Sequence, residues 1–221
     1  MKRLIIIVEG QTEEDFVNQV LAPYLFHFKI LDVRAIKITT SKTGKGGFVN
    51  YQHLKNDALK YLKKEKDIIV TTFFDYFRMP TSMPDYEKCI KLPFADNRIN
   101  CLEATMQEDI GYDNFIPYIQ KFEFEALLFS ENSGFEAYFE EKICNETRQV
   151  IEKFETPEEI NTHPEKAPSK RLEKIFKSNG EKYEKVDDGN LVAIELGIEK
   201  ILNSCPRFKN WVDILIEKVK E

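Results

Sequence analysis

The chain opens MKRLIIIVEG, in which residues 4–8 are an unbroken apolar run that ends on Glu9 and Gly10. A continuous, isoleucine-rich run of this length predicts a strand buried on both faces, the kind found inside parallel sheets. Polar residues follow at once. Thr12 and Asp15 stand close to capping-box spacing, and Phe16, Val17, Val20, Leu21 and Tyr24 recur with helical period, so a helix is predicted over residues 13–26. Residues 33–40 alternate as a second strand. Beyond the basic, glycine-containing stretch SKTGKGG, the residues Tyr51, Leu54, Ala58 and Leu62 mark the apolar stripe of another helix. A third strand is predicted over residues 67–75 (DIIVTTFFD), and it too stops on an acid, Asp75.

The pattern then loosens. Residues 78–93 (RMPTSMPDYEKCIKLP), rich in proline and methionine, read as an excursion from the sheet rather than a core element. A helix is predicted over residues 97–109 and a strand over 115–122 (FIPYIQKF), with Pro117 marking a sheet edge or the strand's beginning. That strand runs into Glu123, Phe124 and Glu125, where alternation puts the two glutamates on one face and Phe124 on the other. From residue 131 glutamate and lysine dominate, with helical stripes at 145–154, 169–176, 190–202 and 208–219. The expected fold is α/β: a mainly parallel sheet flanked by helices over residues 1–130, with an insertion at about 78–112, and a helical extension over 131–221 packed on it.

Composition narrows the class. With 221 residues of which 42% are hydrophobic, the chain can bury a sizeable core. No segment approaches 18 apolar residues, and the apolar start is too short for a signal-peptide core, so a cytoplasmic protein without a membrane partner is expected. Cys89, Cys101, Cys144 and Cys205 form no C-x-x-C pair, and reduced, buried thiols are expected; His27, His53 and His163 lack metal-ligand spacing. The net charge of −6 argues against coating nucleic acid by bulk electrostatics. Charge is uneven, however: residues 34–66 carry a local net of +7, which suits either a solvated helix face or a phosphate-facing flank.

In an open parallel sheet the functional crevice lies beyond the carboxyl ends of the strands. Glu9, Asp75, Glu123 and Glu125 all fall at such ends, so acids distant in sequence should converge. Clustered carboxylates repel, and burial strengthens the repulsion, so something positive must sit among them. Without a histidine or cysteine set the expected cation is hard and oxygen-loving, Mg²⁺ or Mn²⁺. Two such ions about 4 Å apart would clamp the attacking and leaving oxygens of a phosphodiester. Glu13 is expected to add a further carboxylate across the strand-to-helix turn, with Glu14 the competing choice that points to solvent or caps the helix, although acids in a first helical turn are also favoured by the helix dipole. Lys45 with Gly46 and Gly47, and Lys170 with Arg171, are candidate phosphate contacts; Arg171 could equally pair with one of the acids.

These residues resemble a known family. VEGQTEEDF, FFDYF and KFEFEALLF together are similar to the Toprim domain of topoisomerases, primases and overcoming-lysogenization-defect (OLD) nucleases. With GKGGFVNYQHL, TTFFDYFRMP, APSKRL and CPRFKNW, nearly the whole chain resembles a bacterial Toprim-like family labelled a domain of unknown function, DUF family number 4276. The resemblance implies that Glu9 is the invariant Toprim glutamate, that Glu13 is the acid four residues on in nuclease members, and that Asp75 is the first acid of D-x-D. Here that motif reads Asp75-Tyr76-Phe77, so its second acid is missing and Glu123 or Glu125 is the candidate replacement. The leading expectation is a metal-dependent phosphodiesterase, a nuclease acting on DNA or RNA, with Glu9, Asp75, Glu123 and Lys45 catalytic and Glu9, Glu13, Asp75, Glu123 and Glu125 as metal ligands; the resemblance further implies a phage-defence setting beside an ABC-type or AAA-type ATPase, and a homodimer is compatible with it. Phosphoacceptor chemistry at Asp75 and a non-catalytic regulatory or nucleic-acid-sensing subunit remain open alternatives.

Overall fold

The computed structural model describes residues 2–38, 48–160 and 163–220. The opening apolar run forms β1 (Arg3–Val8), followed by α1 (Gln11–Phe16), a π-helical turn at Val17–Leu21 and α2 (Ala22–Phe26). β2 (Val33–Lys37), α3 (Tyr51–Leu62) and β3 (Ile68–Asp75) come next. The sheet order is β2-β1-β3-β4, all parallel, with β4 (Phe115–Ile116) on the far edge. The short α4 (Tyr86–Cys89) and the longer α5 (Ala95–Ile110) precede β4, and β5 (Ile119–Gln120) continues alongside β3.

Strand alternation divides the core in two. Leu4, Ile6 and Val8 face a cluster with Phe16, Phe73 and Trp211, whereas Ile5 and Ile7 face one with Leu54, Leu102 and Phe115. The first face is covered by helices that follow β5: α6 (Ser133–Glu136), α7 (Glu141–Ile151), α8 (Pro168–Ser178), α9 (Asp187–Ser204) and α10 (Pro206–Lys220) contribute Phe135, Ile143, Leu172, Val192 and Trp211 to it. Trp211 stacks on Tyr118 at 4.5 Å and donates its indole N–H to Thr71 at 2.8 Å. α3 and α5 cover the second face.

Several expectations need correction. Residues 115–122 are two short strands rather than one, because Pro117 has no N–H for the ladder. The Thr72 hydroxyl bridges the break, donating to the Tyr118 carbonyl and accepting its amide, both at 2.8 Å. Residues Phe124–Ser130 form a 3₁₀ helix, so Glu123 and Glu125 do not alternate along a strand. The segment after Arg78 is not a detached excursion: Met79, Met83 and Cys89 are buried in the second core. Cys89 is also bonded to Cys101 across the α4–α5 connection, which leaves Cys144 and Cys205 as the free thiols, both buried. The strand expected over 33–40 ends at Lys37, and residues 39 and 40 lie outside the described residues. Among the described residues, no helix is long and apolar enough to cross a membrane.

Candidate active site: an acid cleft around one lysine

β1 and β3 run in register to the pair Val8–Phe73, so Glu9 and Asp75 leave neighbouring strands just past their last shared position. Asp75 also pairs with Gln120, and the chain then turns through Phe122 at φ 66° to bring Glu123 and Glu125 to the same edge. The Phe124 amide donates to Asp75 Oδ1 at 2.7 Å and ties the 3₁₀ helix to the end of β3. Glu9, Asp75, Glu123 and Glu125 line one cavity of about 220 Å³. Sequence-distant acids therefore do meet at the carboxyl ends of the strands, and Glu13 reaches the same cluster from α1.

The centre of that cluster is positive. Lys185 Nζ lies 3.4 Å from Glu13 Oε1, 3.5 Å from Glu125 Oε1 and 3.7 Å from Asp75 Oδ2. Burial pushes the Asp75 carboxyl well above the ordinary range; Lys185 opposes the shift, and Glu13, Glu125 and Glu9 reinforce it. Burial likewise raises Glu125 to about 7, again opposed by Lys185. Glu9 is raised by burial and by the Glu13 charge, against a backbone hydrogen bond from Phe48. Burial alone would lower Lys185, but Asp75, Glu125 and Glu13 outweigh it and hold the ammonium charged. One lysine thus offsets part of a charge that would otherwise be prohibitive in a partly dry cleft.

The carboxylates differ in what they already hold. Glu13 Oε2 accepts the Gly10 amide at 3.0 Å, closing a capping interaction at the start of α1. Glu123 Oε2 accepts the Ser169 amide at 2.9 Å in the first turn of α8, where an acid is favoured by the helix dipole. Glu125 is different: it is fully buried, and neither of its side-chain oxygens has a hydrogen-bond partner. The Tyr183 hydroxyl, in the wall of the same cavity, is buried and also without one. By contrast Glu158, another buried acid, is fully used in accepting the Arg207 and Phe208 amides at the start of α10.

The candidate basic residues separate. Lys45, Gly46 and Gly47 lie outside the described residues. Lys170 lines the cavity and pairs with Glu173 at 2.6 Å. Arg171 does not join the acids; its Nε donates to the Lys166 carbonyl at 2.9 Å and its guanidinium lies over Phe154 at 5.2 Å. Glu14 turns outward to Lys37 at 2.8 Å. The exposed Lys60, Lys63, Lys64 and Lys66 sit where α3 leads into the start of β3, roughly 20 Å from the Asp75 end at about 3.3 Å per strand residue, so they do not flank this cleft. Lys55 pairs with Asp109 at 2.9 Å.

Reasoning from the sequence missed Lys185, Tyr183 and Arg78, all of which line the cavity. Lys185 and Tyr183 sit in GEKYEKVDDGN, where surrounding charge reads as a solvated connection. The tyrosine was the available signal: an aromatic between lysines and glutamates, just ahead of a helix, has to pack somewhere.

Among the described residues no group of three His, Cys, Asp or Glu side chains stands arranged to hold an ion. The donor set nevertheless suits a hard divalent cation. It is all oxygen, it carries excess negative charge beside Lys185, and both buried Glu125 oxygens lack a hydrogen-bond partner. Glu9, Asp75, Glu123 and Glu125 are the side chains that would hold such an ion.

An open parallel sheet with helices on both faces and acids gathered at the strand ends is a Toprim-like α/β fold. The chain belongs to the family described as "Domain of unknown function (DUF4276)", whose model matches residues 8–216. In structure it is similar to the C-terminal region of the Burkholderia pseudomallei OLD protein, at 16% identity over 99% of both chains with a TM-score of 0.50. It is similar too to the C-terminal region of the Xanthomonas campestris pv. campestris OLD protein, at 11% identity over 98% of this chain and 97% of that one, with a TM-score of 0.44. The first likeness is one of fold. No curated protein matches the chain.

Proposed function

We propose that the cleft is the active site of a metal-dependent phosphodiesterase of nuclease type. The observation that carries this reading is Glu125, whose two buried oxygens have no hydrogen-bond partner, only the Lys185 ammonium 3.5 Å from Oε1, in the same cavity as Glu9, Asp75 and Glu123. A bound Mg²⁺ or Mn²⁺ would supply the positive charge that lets a phosphodiester approach these carboxylates and would polarise its phosphorus–oxygen bonds. The chain's own residues do the rest. Lys185, held charged between Glu13, Asp75 and Glu125, presents its ammonium to a phosphate oxygen, and Lys170 and Arg78 extend positive charge along the wall. Phe124 fixes Asp75 through its amide, and Ser169 fixes Glu123, so both carboxylates are oriented before a substrate arrives.

The test is cleavage of single- and double-stranded DNA and RNA by purified protein with Mg²⁺ or Mn²⁺, alone and with any ATPase encoded beside it. Cleavage by wild type that Glu9→Gln and Asp75→Asn abolish supports the reading, and cleavage that both variants retain contradicts it. The nucleic-acid substrate, the ATPase partner and a phage-defence setting belong to the same proposal. Co-purification with the ATPase tests the partner directly.

Two observations favour a second reading. Lys185 already supplies a cation at the centre of the cluster, and Phe77 stands where D-x-D would supply another acid, as in a Toprim-like subunit that regulates rather than cuts. That reading requires Glu9→Gln and Asp75→Asn to leave partner binding and cellular role intact.

A further inference from the structure

Tyr183 precedes α9, and its ring packs edge-on against Phe176 at 5.3 Å within the first core. The ring is therefore fixed, while its hydroxyl is buried without a hydrogen-bond partner in the wall of the acid cavity. A phenylalanine would fill the same space without stranding a polar atom, and an unpaired buried hydroxyl is costly. Gly189 keeps the room around it: a Cβ there would stand 2.9 Å from the hydroxyl oxygen. Tyr183 lines a cavity of about 220 Å³ whose other polar residues are carboxylates, the cations Arg78, Lys170 and Lys185, and Ser169.

We infer that the Tyr183 hydroxyl is a phosphate-binding donor, giving its proton in a hydrogen bond to a non-bridging oxygen of the phosphate that enters beside Glu125. This rests on the phosphodiesterase reading and adds a residue to it. The chemistry is specific to an acceptor ligand. A neutral phenol competes poorly with four carboxylates for a cation, but it is an uncharged donor in a cleft crowded with acceptors. Burial and the charge on Glu125 push the phenol well above its ordinary range, so it keeps its proton.

The experiment compares wild type with Tyr183→Phe by titration calorimetry, first with Mn²⁺ and then with thymidine 5′-monophosphate added to the Mn²⁺-loaded protein; melting temperatures are taken on both. The expected result is Mn²⁺ affinity unchanged within twofold, nucleotide affinity weakened about tenfold, the loss of one good hydrogen bond, and a melting temperature equal to or above wild type. Gly189→Ala, which crowds the same hydroxyl, should weaken the nucleotide in the same direction. Equal nucleotide affinity in Tyr183→Phe, or a wild type that binds Mn²⁺ but no nucleotide, overturns the inference and leaves the phosphodiesterase reading standing. Loss of Mn²⁺ binding together with the nucleotide in Tyr183→Phe also overturns it, because the residue would then act through the metal site. A wild type that binds neither ligand overturns both.

Discussion

The Phe124 amide holds Asp75 Oδ1 at 2.7 Å, while Asp75 Oδ2 stands 3.7 Å from Lys185 Nζ. The two oxygens of one carboxylate thus have separate duties, one structural and one electrostatic. An asparagine keeps an oxygen for the Phe124 amide and removes a charge from a crowded cluster. Asp75→Asn is therefore expected to fold, with metal-free stability at pH 8 within about 1 kcal/mol of wild type or above it. Thermal melting followed by circular dichroism checks this, and a fall of many degrees would show that the charge itself holds the fold.

Glu125 gives the metal-free protein a pH dependence of definite sign. Its folded pKa is raised to about 7 by burial, while the unfolded chain titrates in the ordinary carboxylate range. Between those values the folded state binds more protons than the unfolded one, so stability present at pH 4 is lost as the pH rises through about 7. The loss is at most about 3 kcal/mol. Urea unfolding in chelator at pH 5 and pH 8 should show it, and Glu125→Gln should reduce it, leaving the part that Asp75 and Glu9, raised in the same direction, contribute.

Lys185 opposes the same shifts, so its removal should act most strongly where the acids are ionised. With 41% of the lysine side chain exposed, solvent screens the interaction, and Lys185→Met is expected to cost about 1–2 kcal/mol at pH 8. At pH 5, with Glu125 protonated, the cost should shrink. Equal destabilisation at both values would mean that the lysine serves packing rather than charge.

The bond between Cys89 and Cys101 closes a short loop, with a sequence separation of 12, that joins α4 to α5 and pins the segment carrying Met79 and Met83. Thiol titration of unfolded, unreduced protein should count only Cys144 and Cys205, and reduction should expose all the cysteines. Cys101→Ser is expected to lower stability by about 3 kcal/mol through loop-closure entropy.

The sequence was most legible where a rule of sheet architecture applied. Residues 4–8 and 67–75 read as buried strands because both faces of β1 and β3 are covered, and their terminal acids had to emerge at one edge. Glu125 was found for an incorrect local reason: a strand end was expected, yet a 3₁₀ helix delivers it to the same cavity. Lys185 is hard to read because its position depends on how α8 and α9 dock over the sheet edge, and Tyr183 two residues earlier signals only that the segment packs, not against what. The demand for a positive charge among the acids was nevertheless a sound inference from electrostatics. In the folded chain Lys185 stands among those acids.

The central claim is that the acid cleft holds a divalent cation despite Lys185. Titration calorimetry of Mn²⁺ into wild type and into a Glu9→Gln, Asp75→Asn double variant tests it most directly. The account predicts saturable binding in wild type that the double variant loses while remaining folded. Saturable binding of equal affinity in both proteins, or none in wild type, would contradict it.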